Sequence, residues 1–101
     1  MKLPLSTVAD AGAAIRALRK HARIRIDDFA LTAQVSKQFM TDLENGKPTV
    51  QMGRVLALLQ QLGVQVTLEL PDAAAPALEA ERQRRQRQRA RQQAQPSDGD
   101  A

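Results

Sequence analysis

Read only as apolar and polar positions, the chain changes period once. Up to Leu62 its apolar residues recur at helical steps of three and four, and from Val64 to Leu70 they alternate with polar ones. The first stripe is Val8, Gly12, Ile15, Leu18 and Ala22, a narrow apolar line on a helix that starts near Val8 with Ser6 or Thr7 as its cap. Arg16, Arg19, Lys20 and Arg23 fill much of the rest, and "ARIRI" breaks the pattern. A short second helix opens on Asp27 and Asp28, whose charge suits the helix dipole, and it carries Phe29, Ala30 and Ala33 on its apolar side. Both aspartates read as start-of-helix charges rather than catalytic acids.

Val35 then leads into Ser36, a good cap for a third helix over Lys37 to Glu44, with Val35, Met40 and Leu43 toward the core. "ENGKPT" stops it: Asn45-Gly46 ends a helix and Pro48 prevents its continuation. The fourth helix is capped by Thr49, buries Val55, Leu56, Leu58, Leu59 and Leu62, and stops at Gly63. Gly53 lies inside it at a cost of about 1 kcal/mol, which reads as close packing against another backbone.

"GVQVTLELP" is different. Val64, Val66, Leu68 and Leu70 alternate with Gln65, Thr67 and Glu69, the period of a half-buried β-strand. A lone two-faced strand leaves its N–H and C=O groups unpaired and is not stable in water, so this one needs a partner. Within the chain the candidate is "MKLPL", which Pro4 confines to an edge. The expected fold is therefore all-α, a bundle of four or five helices with one C-terminal β-strand.

After Pro71 the composition becomes Ala, Gln and Arg, with Leu78 the last large apolar residue, so this part forms no core. The expected division is a domain over 6–70 and an Ala/Gln/Arg-rich solvated helix or coil over 71–101. Six arginines fall between Arg82 and Arg91. They suit either a solvated tail or one that tracks phosphates or an acidic partner.

Charge and composition narrow the function. The 101 residues carry 15 Lys+Arg against 11 Asp+Glu, a formal charge of +4. Most of the excess lies before Pro71, which favours an anionic partner such as nucleic acid. There is no Cys and one His, which excludes a disulfide, a thiol nucleophile and a Cys or His metal cluster. No catalytic constellation and no cofactor motif is visible, and His21 stands alone near the end of the first helix. No apolar run approaches the roughly 20 residues of a membrane span, and the start lacks the apolar stretch of a signal peptide, so a cytoplasmic protein without membrane contact is expected. A core of about 70 residues buries only roughly 60% of its unfolded surface, which favours support from a second subunit.

Two short helices joined by Gln34-Val35 form the centre of this pattern. Such a helix-turn-helix lays its second helix in the DNA major groove, whose width admits one helix. The face away from Met40 and Leu43 carries Lys37, Gln38 and Thr41, with Ser36 at the tip. Lysine and glutamine pair with guanine and adenine edges.

"IRALRK" followed by "VSKQFMTDLENGKPTVQMGRVLALLQQLGV" resembles the Cro/repressor-type (XRE) helix-turn-helix proteins, and within them the HipB-like antitoxin branch. The resemblance covers about Asp10 to Leu70. It implies that Ser36, Lys37, Gln38, Thr41 and Asp42 face DNA, and that Arg19 and Glu44 form a structural salt bridge. Arg25 and Lys47 flank the motif and suit phosphate contacts. Phe39 is usual in this branch and packs at the domain edge or touches a thymine methyl. The chain departs from the family in two places. Arg25-Ile26 stands where a Ser or Thr cap and a phosphate-binding Gln are usual, and Gln34 stands where the turn usually holds a Gly.

The resemblance also names a partner for the strand. In HipB-like proteins the segment after the last helix pairs with its copy in a two-fold dimer, which makes Val64, Val66, Leu68 and Leu70 the expected dimerisation residues. A two-fold interface is self-complementary, so an antiparallel pair satisfies both copies. Two recognition helices about 34 Å apart read an inverted-repeat operator on double-stranded DNA. Three roles remain open. The first is a homodimeric repressor and antitoxin that binds a HipA-like kinase toxin and represses their shared operon. The second is a stand-alone regulator of the same fold. The third is a protein-interaction module that has lost DNA binding.

Overall fold

A computed structural model describes residues 1–94. The chain divides into two units, Met1–Val66 and the segment from Thr67 onward. The first holds four helices: α1 (Val8–His21), α2 (Ile26–Ala33), α3 (Lys37–Glu44) and α4 (Met52–Gln61). The second holds a 3₁₀ turn at Asp72–Ala74 and a long helix, α5 (Ala75–Ala94).

Thr7 caps α1 through a reciprocal box. The Asp10 N–H donates to Thr7 Oγ1 at 3.3 Å, and the Asp10 carboxylate accepts from the N–H groups of Ser6 and Thr7 at 2.9 and 3.0 Å. These two backbone donors hold the Asp10 carboxyl below the ordinary carboxylate range, with Ser6 the larger influence. Ser36 caps α3 by accepting from the Phe39 N–H at 2.9 Å. The α4 cap differs from the sequence expectation: Gln51, not Thr49, precedes the helix, and no side chain caps it. Asn45-Gly46-Lys47 first closes α3, so Thr49 lies in the intervening turn.

All four helices of the first unit end alike. A left-handed residue follows each, and two backbone bonds close behind it. After α1 these run from Arg23 N–H to Lys20 and from Ile24 N–H to Arg19; after α2, from Gln34 N–H to Leu31 and from Val35 N–H to Ala30. After α3 they run from Gly46 to Leu43 and from Lys47 to Asp42, and after α4 from Gly63 to Gln60 and from Val64 to Leu59. The closures satisfy carbonyls that a helix end leaves unpaired. Arg23 and Gln34 hold φ near +59° and +60°, a conformation that glycine adopts without a Cβ penalty.

The core is built from each helix in turn: Ala11 and Ile15 of α1, Phe29 and Ala30 of α2, Phe39, Met40 and Leu43 of α3, and Val55, Leu58 and Leu59 of α4. Ile15, Met40, Leu43 and Leu58 are fully buried. α1 meets α3 at Gly12. A Cβ built there would overlap the Leu43 carbonyl oxygen and lie 3.2 Å from the Glu44 Cα. Gly12 is thus the residue that lets two backbones touch. Gly53, expected to have that role, is exposed, with only the Gln51 side chain within 4 Å of an added Cβ. Leu56, placed in the core by periodicity, is exposed, because Val55, Leu58 and Leu59 already fill the buried stripe of this short helix.

The expected β-strand is absent: among the described residues every regular element is helical. Val64 donates its N–H to Leu59 in the α4 closure and packs partly against the core. From Gln65 to Leu70 the chain is irregular and exposed, with Leu68 at 82% exposure. "MKLPL" is likewise irregular, with Leu3 and Leu5 exposed. A period of two needs a neighbour with free N–H and C=O groups, and the longer segments of this chain use theirs inside helices. Among the described residues, a single copy therefore supplies no ladder for Val64, Val66, Leu68 and Leu70.

In the second unit, Pro76 lies in the first turn of α5, where its missing N–H is tolerated. The Ala, Gln, Glu and Arg that follow are strong helix formers. Every side chain from Ala75 to Gln93 is exposed, so propensity rather than burial supports this helix. The remainder of the tail expected over 71–101, residues 95–101, lies outside the described residues.

Candidate nucleic-acid interface

The outer face of α3 gathers most of the residues that the sequence singled out. Ser36, Lys37 and Gln38 are exposed at its N-terminal end, and Thr41 and Asp42 lie one turn further on, half-buried. The Ser36 cap starts the helix here, so the positive end of its dipole lies beside Lys37, the first helical residue.

Two aspartates organise the polar groups. Asp27, in the first turn of α2, accepts Lys37 Nζ at 3.0 Å on one oxygen and lies 4.0 Å from Arg25 on the other. Asp42 accepts the Gln38 amide at 2.7 Å on one oxygen and faces Lys47 Nζ at 3.6 Å on the other. Arg25 and Lys37 are thus brought together, as are Gln38 and Lys47. Exposed pairs of this kind contribute about 0–1 kcal/mol, so a phosphate can take over either lysine at little cost. An ionised carboxylate only accepts, so the Gln38 group facing Asp42 is the NH₂, and its carbonyl oxygen is left for another donor.

Behind this face, Arg19 and Glu44 lock α1 to the end of α3. Arg19 Nε and Nη2 donate to the two Glu44 oxygens at 2.8 and 2.9 Å, and Nη1 donates to the Ile24 carbonyl at 2.8 Å. The hydrogen bonds to Glu44 raise the Arg19 pKa beyond its already high value, so the guanidinium stays charged. Phe39 is buried in the core cluster, and the Arg54 guanidinium lies 6.0 Å above its ring.

Arg54 is the residue that sequence reading missed. With Ser36, Gln38, Lys47 and Thr49 it lines a shallow concavity between α3 and α4. The available signal was a lone cation in the first turn of an apolar-faced helix, directly after the turn that carries Lys47. Asp27 was also undervalued, since its partner Lys37 lies on the next helix. Of the four residues expected at a dimer interface, Val64 is half-buried, and Val66, Leu68 and Leu70 are exposed. Among the described residues no group of three His, Asp or Glu could hold a metal ion. No helix among them is long and apolar enough to cross a membrane.

Comparison with known proteins agrees with this geometry. Residues 10–70 match the model of a helix-turn-helix domain. The chain is also 45% identical over 67 residues to y4mF of Sinorhizobium fredii (strain NBRC 101917 / NGR234), an uncharacterized HTH-type transcriptional regulator; the match covers 66% of this chain and 88% of the relative. With more than half of its length inside the domain, and the two-helix motif at the centre of that match, the chain belongs to the helix-turn-helix domain family.

Proposed function

We propose that this protein is a sequence-specific DNA-binding transcriptional repressor that acts as a homodimer. One observation carries the reading: a Ser36-capped helix presents Lys37, Gln38, Thr41 and Asp42 on one outer face, flanked by Arg25 and Lys47. The helix enters the major groove, the α3 side chains meet base edges, and the flanking cations take phosphates. The relative's name as a transcriptional regulator supports the same role. A single motif offers few base contacts, and two copies read an inverted repeat. The second copy covers the apolar side chains of Val64, Val66, Leu68 and Leu70, three of which are exposed in one copy. The resemblance of "VSKQFMTDLENGKPT" to HipB-like proteins supports a finer role, antitoxin to a HipA-like kinase.

The test is a titration against the DNA upstream of the protein's own gene at about 150 mM salt, with scrambled DNA as control. Roughly 10³-fold preference or more is expected, the low end for specific binders. Equal binding to both duplexes removes the autoregulatory reading. Leu68→Asp is expected to give monomers by light scattering and to lose operator binding. Recovery of a kinase on co-purification from the native host supports the antitoxin role, and its absence counts against it.

A further inference from the structure

α5 has no part in the reading above, yet it holds the densest charge in the molecule. Arg82, Arg84, Arg85, Arg87, Arg89 and Arg91 fall within ten residues, with no Lys and no acidic residue among them. Glu79 and Glu81 precede them, and Arg84 pairs with Glu81 at 3.2 Å. Among the described residues the other five arginines form no ion pair.

We propose that α5 is a second DNA-binding element, which takes the phosphate backbone without reading sequence. Three features of the helix point there. It has no apolar face, since Leu78 is its single large apolar residue, so it lacks what an amphipathic helix uses to enter a lipid surface or a protein groove. Its cations are all guanidinium groups, whose planar fork matches a phosphate. Its spacing also fits a duplex. Ten helical residues span about 15 Å, so the roughly three arginines that can face a duplex at once fall about 5 Å apart, against one phosphate per ~3.4 Å along a DNA strand.

The helix also works against itself when free. Arg82–Arg85 and Arg84–Arg87 are three residues apart, and Arg85–Arg89 and Arg87–Arg91 four, spacings at which like charges oppose helix formation. A polyanion removes that repulsion. DNA binding and helix content are therefore coupled in this segment.

The test uses the full chain with all six arginines changed to Gln, which keeps helix propensity and removes charge. Affinity is measured for the upstream duplex and for a scrambled duplex of equal length, between about 50 and 200 mM salt. If about half of the arginines of each copy face the duplex at once, the slope of log affinity against log salt becomes shallower by about 2–3 for each α5 engaged, hence by about 5 for the homodimer, at ~0.9 per phosphate. Both duplexes lose affinity by the same factor. A second variant, with all six changed to Lys, retains the wild-type slope. Circular dichroism of the wild type gains helix signal when scrambled duplex is added, and the Gln variant shows no such gain. An unchanged slope in the Gln variant overturns the proposal, as does a loss confined to the upstream duplex. A thermal midpoint equal to wild type establishes that the variant is folded. The outcome is separable from the proposed repressor role: if wild type binds both duplexes equally, the autoregulatory reading fails while the slope comparison still decides α5.

Discussion

Arg19 and Glu44 form a two-pronged ion pair across 25 positions of sequence, with both donor–acceptor distances under 3 Å and side-chain exposures of only 11% and 6%. The third arm of Arg19 reaches the Ile24 carbonyl, so one guanidinium ties the end of α1 to the end of α3. Removing one partner leaves a shielded charge uncompensated. Glu44→Ala is expected to destabilise the domain by about 3 kcal/mol. Arg19→Lys is expected to recover only part of the wild-type stability relative to Arg19→Ala, because an ammonium cannot make the paired bonds. Denaturant midpoints for the three variants test this, and a Glu44→Ala midpoint equal to wild type sinks it.

Gly12→Ala is expected to be harsher than its one methyl suggests. The added carbon meets backbone, the Leu43 carbonyl, and cannot be relieved by a rotamer change. Overpacking of this kind costs about 1–3 kcal/mol. Gly53→Ala has open space and improves helix propensity, so it is expected to stabilise by up to about 1 kcal/mol. Thermal melts of the two variants should move in opposite directions.

Gln34→Gly relieves a left-handed residue. Its φ of +60° and ψ of +40° lie where a side chain is strained by about 1–2 kcal/mol. Glycine recovers part of that and loses some to the greater freedom of the unfolded chain. A net gain of about 0.5–1 kcal/mol is expected, a rise of several degrees in Tm for a domain this small. A fall in Tm would mean that the Gln34 side chain has a stabilising contact of its own.

Asp42→Ala tests the aspartate that holds both Gln38 and Lys47. The change frees a lysine for phosphate and lets the Gln38 amide rotate. On the proposed DNA-binding role, affinity for scrambled DNA is expected to rise several-fold while the operator-to-scrambled ratio falls. A ratio that stays at the wild-type value would remove Asp42 from base discrimination.

The Asp10 carboxyl contributes a pH dependence of definite sign. Its folded pKa lies below the unfolded value near 3.8, held there by the Ser6 and Thr7 N–H groups. The stabilisation is therefore present above pH ~4 and is lost as pH falls through the folded value. Asp10→Asn is expected to flatten that acid limb of the Tm profile. Thr7→Ala, which removes the other half of the cap, should lower Tm at every pH by the equivalent of about 1 kcal/mol.

Much of the helical layout was legible because its signals are local. Thr7, Ser36 and the Asn45-Gly46 stop act within one turn of where they stand, so sequence alone placed the starts of α1 and α3 and the end of α3. Matching a helix stripe to buried positions worked for Ile15, Met40, Leu43, Val55, Leu58 and Leu59 for the same reason. Thr49 failed as a cap because the closure of α3 displaced the start of α4.

By itself, then, the sequence determined where α1, α2, α3 and the body of α4 form and most of the face that each buries, although Leu18 and Leu56 on the expected stripes are exposed. Tertiary structure decided the rest. Four helices end in the same left-handed closure, but only two of those positions are glycines; at Arg23 and Gln34, both exposed, the closing backbone bonds accompany a conformation that these side chains disfavour. The choice between Gly12 and Gly53 as the point of close approach depended on which helix faces another backbone, a fact with no local signature. The same holds for Asp27 reaching Lys37 across the turn, and for Arg54 stacking over Phe39. The alternation from Val64 to Leu70 is a pattern of side chains, whereas a strand is made of backbone bonds to a neighbour. Among the described residues of one copy no segment pairs with it, and no local pattern can supply a partner.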